Sequence, residues 1–173
     1  MPPRQHPGHC REHALCVPVP GRETSQPAPE RTNDVSLVRL VYASRSRLVE
    51  VDRRGELARI LETARRRNAE RHVTGFLMAT PGGFAQILEG DAGAIAETYG
   101  RIMVDPRHAD LRLLAQDAVA HRRFAGWAMA LAERDETTEF IFGLYGVSPE
   151  AEIFEQPLDV LLDLAGELAI AKA

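Results

Sequence analysis

Three polar side chains fall where the pattern of this chain calls for apolar ones: Tyr42, Asn68 and Gln86. Tyr42 belongs to LVRLVYA (37–43), an alternating run with Val38, Leu40 and Tyr42 on one face and Leu37, Arg39 and Val41 on the other. Gln86 shares a face with Phe84 and Leu88 in GFAQILE (83–89). Asn68 extends by one turn the helical stripe of Leu57, Ile60, Leu61 and Ala64. A phenol can give up an electron and a proton, and an amide offers a donor and an acceptor on one group. A buried polar side chain without a partner costs on the order of a few kcal/mol, so three in one layer must pair with one another or meet a ligand. The pattern leaves both solutions open, because a Tyr–Gln contact is also a common way to satisfy a core.

The elements that would bring these residues together can be read from periodicity. A first strand over 37–43 is followed by a helix over 55–70, GELARILETARRRNAE. VTGFLMAT (73–80) and GFAQILE (83–89) form a hairpin through Pro81-Gly82. Asp91 opens a second helix, DAGAIAETYGRIMVD, with Ile95, Tyr99 and Ile102 towards the core. LRLLAQDAVA and AGWAMALA supply two more strands. The order β-α-β-β-α-β-β predicts an α+β, ferredoxin-like sheet with both helices on one face, strands one and three adjacent, and an added strand. In that arrangement Tyr42 and Gln86 project from neighbouring central strands into the layer that Asn68 reaches from the first helix. Two further apolar segments, Thr138–Tyr145 and Leu158–Leu168, predict C-terminal helices that cover the other sheet face or a partner. Within them the rows Phe140, Ile141, Leu144 and Leu158, Leu161, Leu162, Leu168 are the expected buried faces.

Composition bounds the rest. With 173 residues and 45% hydrophobic content the chain can bury one sizeable core. Residues 1–33 hold seven of the eleven prolines and little aliphatic periodicity, so they are expected to be a disordered tail. Residues 34–131 then form the core domain and residues 132–173 a helical cap or output segment. The tail's His6, His9, Cys10, His13 and Cys16 have side chains that bind zinc or copper, but their spacing matches no finger pattern, and no metal site is expected. Both cysteines lie there, so no disulfide framework supports the core. Charge is uneven: residues 34–130 carry 15 Lys and Arg against 12 Asp and Glu, and residues 131–173 carry 2 against 10. No segment approaches the length that spans a bilayer, and no signal-peptide pattern opens the chain, so a soluble cytoplasmic protein is expected.

Five segments, LVRLVYAS, RRNAERHVTGFL, GGFAQILEG, RIMVDPRH and RRFAGWAM, resemble the BLUF domain in order and interval over residues 37–131. The resemblance implies a non-enzymatic blue-light receptor with non-covalent FAD; FMN is not distinguished. Tyr42 matches the family's electron-donating tyrosine and Gln86 the glutamine between that phenol and the flavin. Asn68 matches the asparagine bonded to the isoalloxazine carbonyl edge, and Ile60 and Ile102 match the aliphatics that sandwich the ring. Arg101, Asp105 and His108 sit where the family contacts the ribityl and phosphate portion. Trp127 and Met129 match the output-linked pair on the last strand. Ala64 departs from a family serine that can bond the switching glutamine. With no recognisable effector domain after residue 131, the chain resembles short members that signal through a homo-oligomer or a separate partner protein.

Plainer accounts exist for several of these positions. Ile60 and Ile102 would be core aliphatics in any such fold, Arg101 and Asp105 could form an ordinary i,i+4 surface pair, and Trp127 could simply fill the sheet. The competing functions are a nucleic-acid module and a flavin-free adaptor. Arg53, Arg54, Arg59, Arg65, Arg66, Arg67 and Arg71 make the first helix basic, as in the former. The strands lack base-stacking aromatic pairs and the C-terminal segment is acidic, and both count against it. Paired catalytic carboxylates, a nucleophile elbow and a glycine-rich phosphate loop, the marks of the common enzyme classes, do not occur in the core.

Overall fold

The computed structural model describes residues 36–172. The tail over residues 1–33, with its His and Cys cluster, lies outside the described residues. Strand β1 (Leu37–Ser46) leads through a 3-10 turn (Glu50–Asp52) into helix α1 (Arg53–Glu70). Strands β2 (Thr74–Ala79) and β3 (Gly83–Asp91) precede helix α2 (Ala92–Met103), strand β4 (His108–Ala118) and strand β5 (Ala130–Glu133). Helix α3 (Glu139–Leu144), a second 3-10 turn (Ile153–Glu155) and helix α4 (Leu158–Ala171) follow. The sheet order is β4-β1-β3-β2-β5. All pairs are antiparallel except β2 with β5, which is parallel. The chain therefore has the expected ferredoxin-like α+β architecture with an added fifth strand.

Local chemistry explains the punctuation. Pro81-Gly82 closes the β2–β3 hairpin between reciprocal Thr80 and Gly83 backbone bonds of 2.9 and 3.3 Å. Asp91 caps α2 by accepting from Gly93 N at 2.9 Å and Ala94 N at 3.4 Å. Gly146, at φ +73°, ends α3 in the left-handed region and lets Val147 N return to Phe142 O.

Strand alternation divides the interior in two. Val38, Leu40, Tyr42, Leu77, Phe84 and Leu88 face α1 and α2, where Leu57 and Ile95 meet them. Val41, Phe76, Met78 and Ile87 point the other way, towards Phe142, Ile153, Leu161, Leu164 and Leu168. With helices on both sides, β3 is buried from Gly83 to Gly90, which explains why it reads as a nearly continuous apolar run interrupted by Gln86 and Glu89.

Two expectations need correction. The last strand begins at Ala130, whereas the sequence pattern starts it at Ala125. Trp127 N bonds back to Phe124 O in a turn, and pairing with β2 starts only at Phe76 opposite Ala130, so Trp127 and Met129 lie in the approach to β5. On α3 the expected inward row of Phe140, Ile141 and Leu144 is mostly outward: Phe140 is 75% and Leu144 67% exposed, while Phe142 is fully buried. A helix of six residues is too short for a stripe to choose a face, and the large Phe142 ring takes the core position beside Val147.

Candidate functional site

Antiparallel register sets Tyr42 of β1 opposite Gln86 of β3, on the face covered by α1 and α2. The phenol donates to Gln86 Oε1 at 2.6 Å, and Gln86 Nε2 donates to Met129 Sδ at 3.2 Å. The amide is thus held firmly on one side and by a weak sulfur acceptor on the other. Register irregularities in the β1–β4 pairing flank Tyr42, between Val41 and Tyr42 and between Ala43 and Arg45. Such shifts bend a strand and re-aim its side chains. Burial pushes the Tyr42 phenol far above its ordinary pKa, and the charge of Asp105 and the neighbouring Tyr99 add to it. Tyr42 therefore carries its proton at any physiological pH.

Above this pair α1 and α2 leave a cleft with about 760 Å³ of empty space, part of it open to solvent. Each helix contributes one stripe: Ile60, Thr63, Ala64, Arg67 and Asn68 from α1, and Thr98, Arg101 and Ile102, continued by Asp105, from α2. Leu77, Phe84, Gln86 and Leu88 form the sheet side. Asn68, 2% exposed, donates through Nδ2 to Ala128 O at 2.8 Å. Arg65 Nε reaches Met129 O at 3.0 Å, and Gly75 N reaches Trp127 O at 3.1 Å. Three consecutive carbonyls of the approach to β5 are thereby tied to α1 and β2.

At one end Asp105 receives Arg107 N at 3.0 Å and Arg107 Nε at 2.8 Å. Burial would raise this carboxyl, but the Arg107 bonds outweigh it and hold the group below the usual carboxylate range. Arg107 Nη1 also lies 3.6 Å from Glu56 of α1, bridging the two sides of the opening. His108 packs against Phe84 and Tyr42, with ring centroids 4.9 and 6.0 Å away, and its Nδ1 is 2.8 Å from Ser44 Oγ. Burial pushes the imidazole down to about 4, against the opposing pull of Asp105. It is neutral near pH 7.

The structure brings Tyr42, Ile60, Asn68, Gln86, Arg101, Ile102, Asp105 and His108 together around this one cleft. It separates Trp127 from Met129. Met129 packs in the core with Tyr42, while Trp127 lies on the opposite sheet face against Phe76, at 5.8 Å, and beside α4. Sequence reading missed Thr63, Arg67, Thr98 and Arg107 as lining residues, and the contact of Ser44 with His108. The first two were legible: Ile60, Thr63, Ala64 and Arg67 stand at i, i+3, i+4 and i+7, a stripe adjacent to the apolar one. Ala64 is also on the wall.

A planar, partly polar ring system of the flavin type fits these residues. Ile60 and Ile102 give the two helices aliphatic contact surface, Asn68 and Gln86 supply amides for an edge of carbonyls and ring nitrogens, and Arg67 lines the same cleft with Arg101 and Arg107, which already pair with Glu97 and Asp105. Among the described residues no group of His, Cys, Asp and Glu could hold a metal ion, and no helix is long and apolar enough to cross a membrane. The basic helix is mostly occupied internally. Arg53 is buried on Thr80 O, Arg59 pairs with Asp52 and Glu56, and Arg71 pairs with Glu97.

Fold and cleft together fit a small flavin-binding domain, and comparison with known proteins gives its family. The model of the family "BLUF: Sensors of blue-light using FAD" matches residues 37–130, and the chain belongs to that family, whose cofactor is FAD. The photoactivated adenylate cyclase subunit beta of Euglena gracilis is 33% identical over 115 residues, covering 66% of this chain and 13% of that protein. This chain therefore matches only a small part of such curated relatives. Among solved structures, the BlsA photo-activated state superposes with a TM-score of 0.67 at 27% identity, covering 78% of this chain and 95% of that one. BlrB, described as a BLUF protein in its dark state, gives 0.57 at 29% identity, covering 79% and 90%.

Proposed function

We propose that FAD occupies the α1–α2 cleft, that Tyr42 and Gln86 convert blue light into a changed hydrogen bond, and that residues 132–173 pass the change to a second copy or a separate protein. The observation that carries this reading is the buried 2.6 Å bond from the Tyr42 phenol to Gln86 Oε1 in the wall of a cleft whose lining fits a flavin. Ile60 and Ile102 would flank the ring, Asn68 and Gln86 would meet its polar edge, and Arg101, Asp105 and His108 would meet the ribityl and phosphate portion.

When bound, the flavin supplies a strong oxidant on absorbing blue light. Tyr42, protonated and desolvated, is the source of an electron, and its proton leaves along the existing bond to Gln86 Oε1. Return of both to Tyr42 leaves Gln86 rotated or tautomerised, at the loss of a bond to a thioether, which is a weak acceptor. No substrate is consumed. The same Gln86 movement releases Met129 Sδ, and Met129 sits two residues from Trp127 beside α4, so one displacement reaches both sheet faces. Residues 34–131 then act as sensor, and the acidic helices after them as the bistable element.

The test is an absorption spectrum of the full chain with FAD before and after blue light. A yellow protein with a small, reversible red shift and no bleaching supports the reading; a chain that stays colourless after FAD is added refutes it.

A further inference from the structure

We propose that Ser44 fixes the tautomer of His108, with Nδ1 as acceptor and Nε2–H as a neutral donor into the cleft, so that this wall recognises an acceptor oxygen of the ligand. The inference deepens the reading of the cleft as a FAD site and rests on it only for the identity of that ligand.

Ser44 lies two residues after Tyr42 on β1, on the same face, and is 0% exposed. Its Oγ has one side-chain partner among the described residues, His108 Nδ1 at 2.8 Å. A hydroxyl has one hydrogen to give, and a buried donor left without an acceptor costs about 1–3 kcal/mol. If Nδ1 carried the imidazole proton it would donate to Oγ, and the Ser44 hydrogen would have nowhere to go. With Ser44 donating to an unprotonated Nδ1, both groups are satisfied and the ring proton is placed on Nε2. That nitrogen takes no partner from the described residues, and its ring is part of the cleft wall.

Packing keeps the ring in that orientation. Phe84 and Tyr42 press on it from the sheet, and Asp105 and Arg107 are the charged groups that act on it. A doubly protonated imidazole would again leave the Ser44 hydrogen without an acceptor, in keeping with the downward shift caused mainly by burial. His108 therefore recognises an oxygen acceptor, a ribityl hydroxyl or a phosphate oxygen, without bringing charge. Counter-charge for phosphate falls first to Arg67 on the same cleft, since Arg101 and Arg107 already pair with Glu97 and Asp105.

Nitrogen NMR of the full chain labelled at histidine, with His108 assigned by loss of its signals in His108→Gln, tests this before and after FAD is added. The expected result is an unprotonated, hydrogen-bonded Nδ1 and a protonated Nε2 at pH 7. In Ser44→Ala the Nδ1 hydrogen-bond signature should vanish, the signals should move to an averaged tautomer mixture, and FAD should bind several-fold more weakly. A protonated Nδ1 in the unaltered chain overturns the proposal, as does a Ser44→Ala chain with unchanged histidine signals. If the tautomer is as stated but FAD does not bind, the tautomer assignment stands and the cofactor reading falls.

Discussion

The Tyr42 phenol is 1% exposed and donates at 2.6 Å to the Gln86 amide oxygen, and the proposed proton route follows that bond. Tyr42→Phe removes the hydroxyl at nearly constant volume, so the cleft should keep its shape and still take FAD, yet yield no red-shifted product under blue light. Illuminated spectra of the variant check this. His108 carries a second prediction at the same scale. Its pKa falls from 6.5 to about 4 on folding, so between those values the unfolded chain binds the extra proton and stability rises with pH. Acidification from pH 7 towards 4 should therefore cost up to roughly 3 kcal/mol through this group. Denaturation curves at pH 7 and 4.5 should show a smaller acid loss in His108→Gln than in the unaltered chain; an equal loss assigns the acid sensitivity elsewhere. Tyr42, Asn68 and Gln86 were legible in the sequence because each breaks an apolar period. Arg67 was legible from its spacing on the Ile60 stripe, but it was read only as one of the seven arginines of a basic helix. Ser44 could not be seen as a partner of His108, since 64 residues and a strand pairing separate them.

Among the described strands and α-helices, β5 and α3 are the shortest of their kind and the least predictable from pattern. The four long strands and α1, α2 and α4 carry enough turns or alternations for burial to pick a face, and the sequence reading of them holds apart from a few residues at the ends. β5 has four residues and α3 six, so their extent is decided by neighbours: β2 starts the parallel pairing at Ala130, and the pocket against Val147 takes Phe142. The two phenylalanines of α3 should accordingly respond differently to truncation. Phe142→Ala leaves a cavity beneath α3 and α4 and should cost about 3–5 kcal/mol. Phe140→Ala should stay within about 0.5 kcal/mol, as exposed positions do. Chemical denaturation of the two variants measures both, and equal losses would place α3 wrongly.

Residues 36–172 form a sheet with the candidate photochemical cleft on one face and the C-terminal helices on the other. What joins them is the approach to β5, whose carbonyls are tied to Asn68, Arg65 and Gly75 and whose Met129 and Trp127 lie on opposite faces. A light state alters binding only if its contacts differ from those of the dark state. Illumination should therefore change hydrogen exchange in residues 121–133 and in α3 and α4, by a coupling of about 1–3 kcal/mol. Unchanged protection there, in a sample that still red-shifts, would make α3 and α4 a passive cover and put the output surface elsewhere. This layout was only partly legible beforehand: the apolar C-terminal segments required a surface, but nothing in their spacing separated the sheet face from a partner.

The most direct measurement of the central claim, that the Tyr42–Gln86 bond is the switch, is the light-minus-dark absorption spectrum of Gln86→Leu beside that of the unaltered chain, both with FAD bound. Leucine keeps the side chain's approximate volume and removes the amide, so the variant should bind FAD and absorb blue light without forming the red-shifted state. A Gln86→Leu protein that gives the same reversible red shift as the unaltered chain would contradict the account.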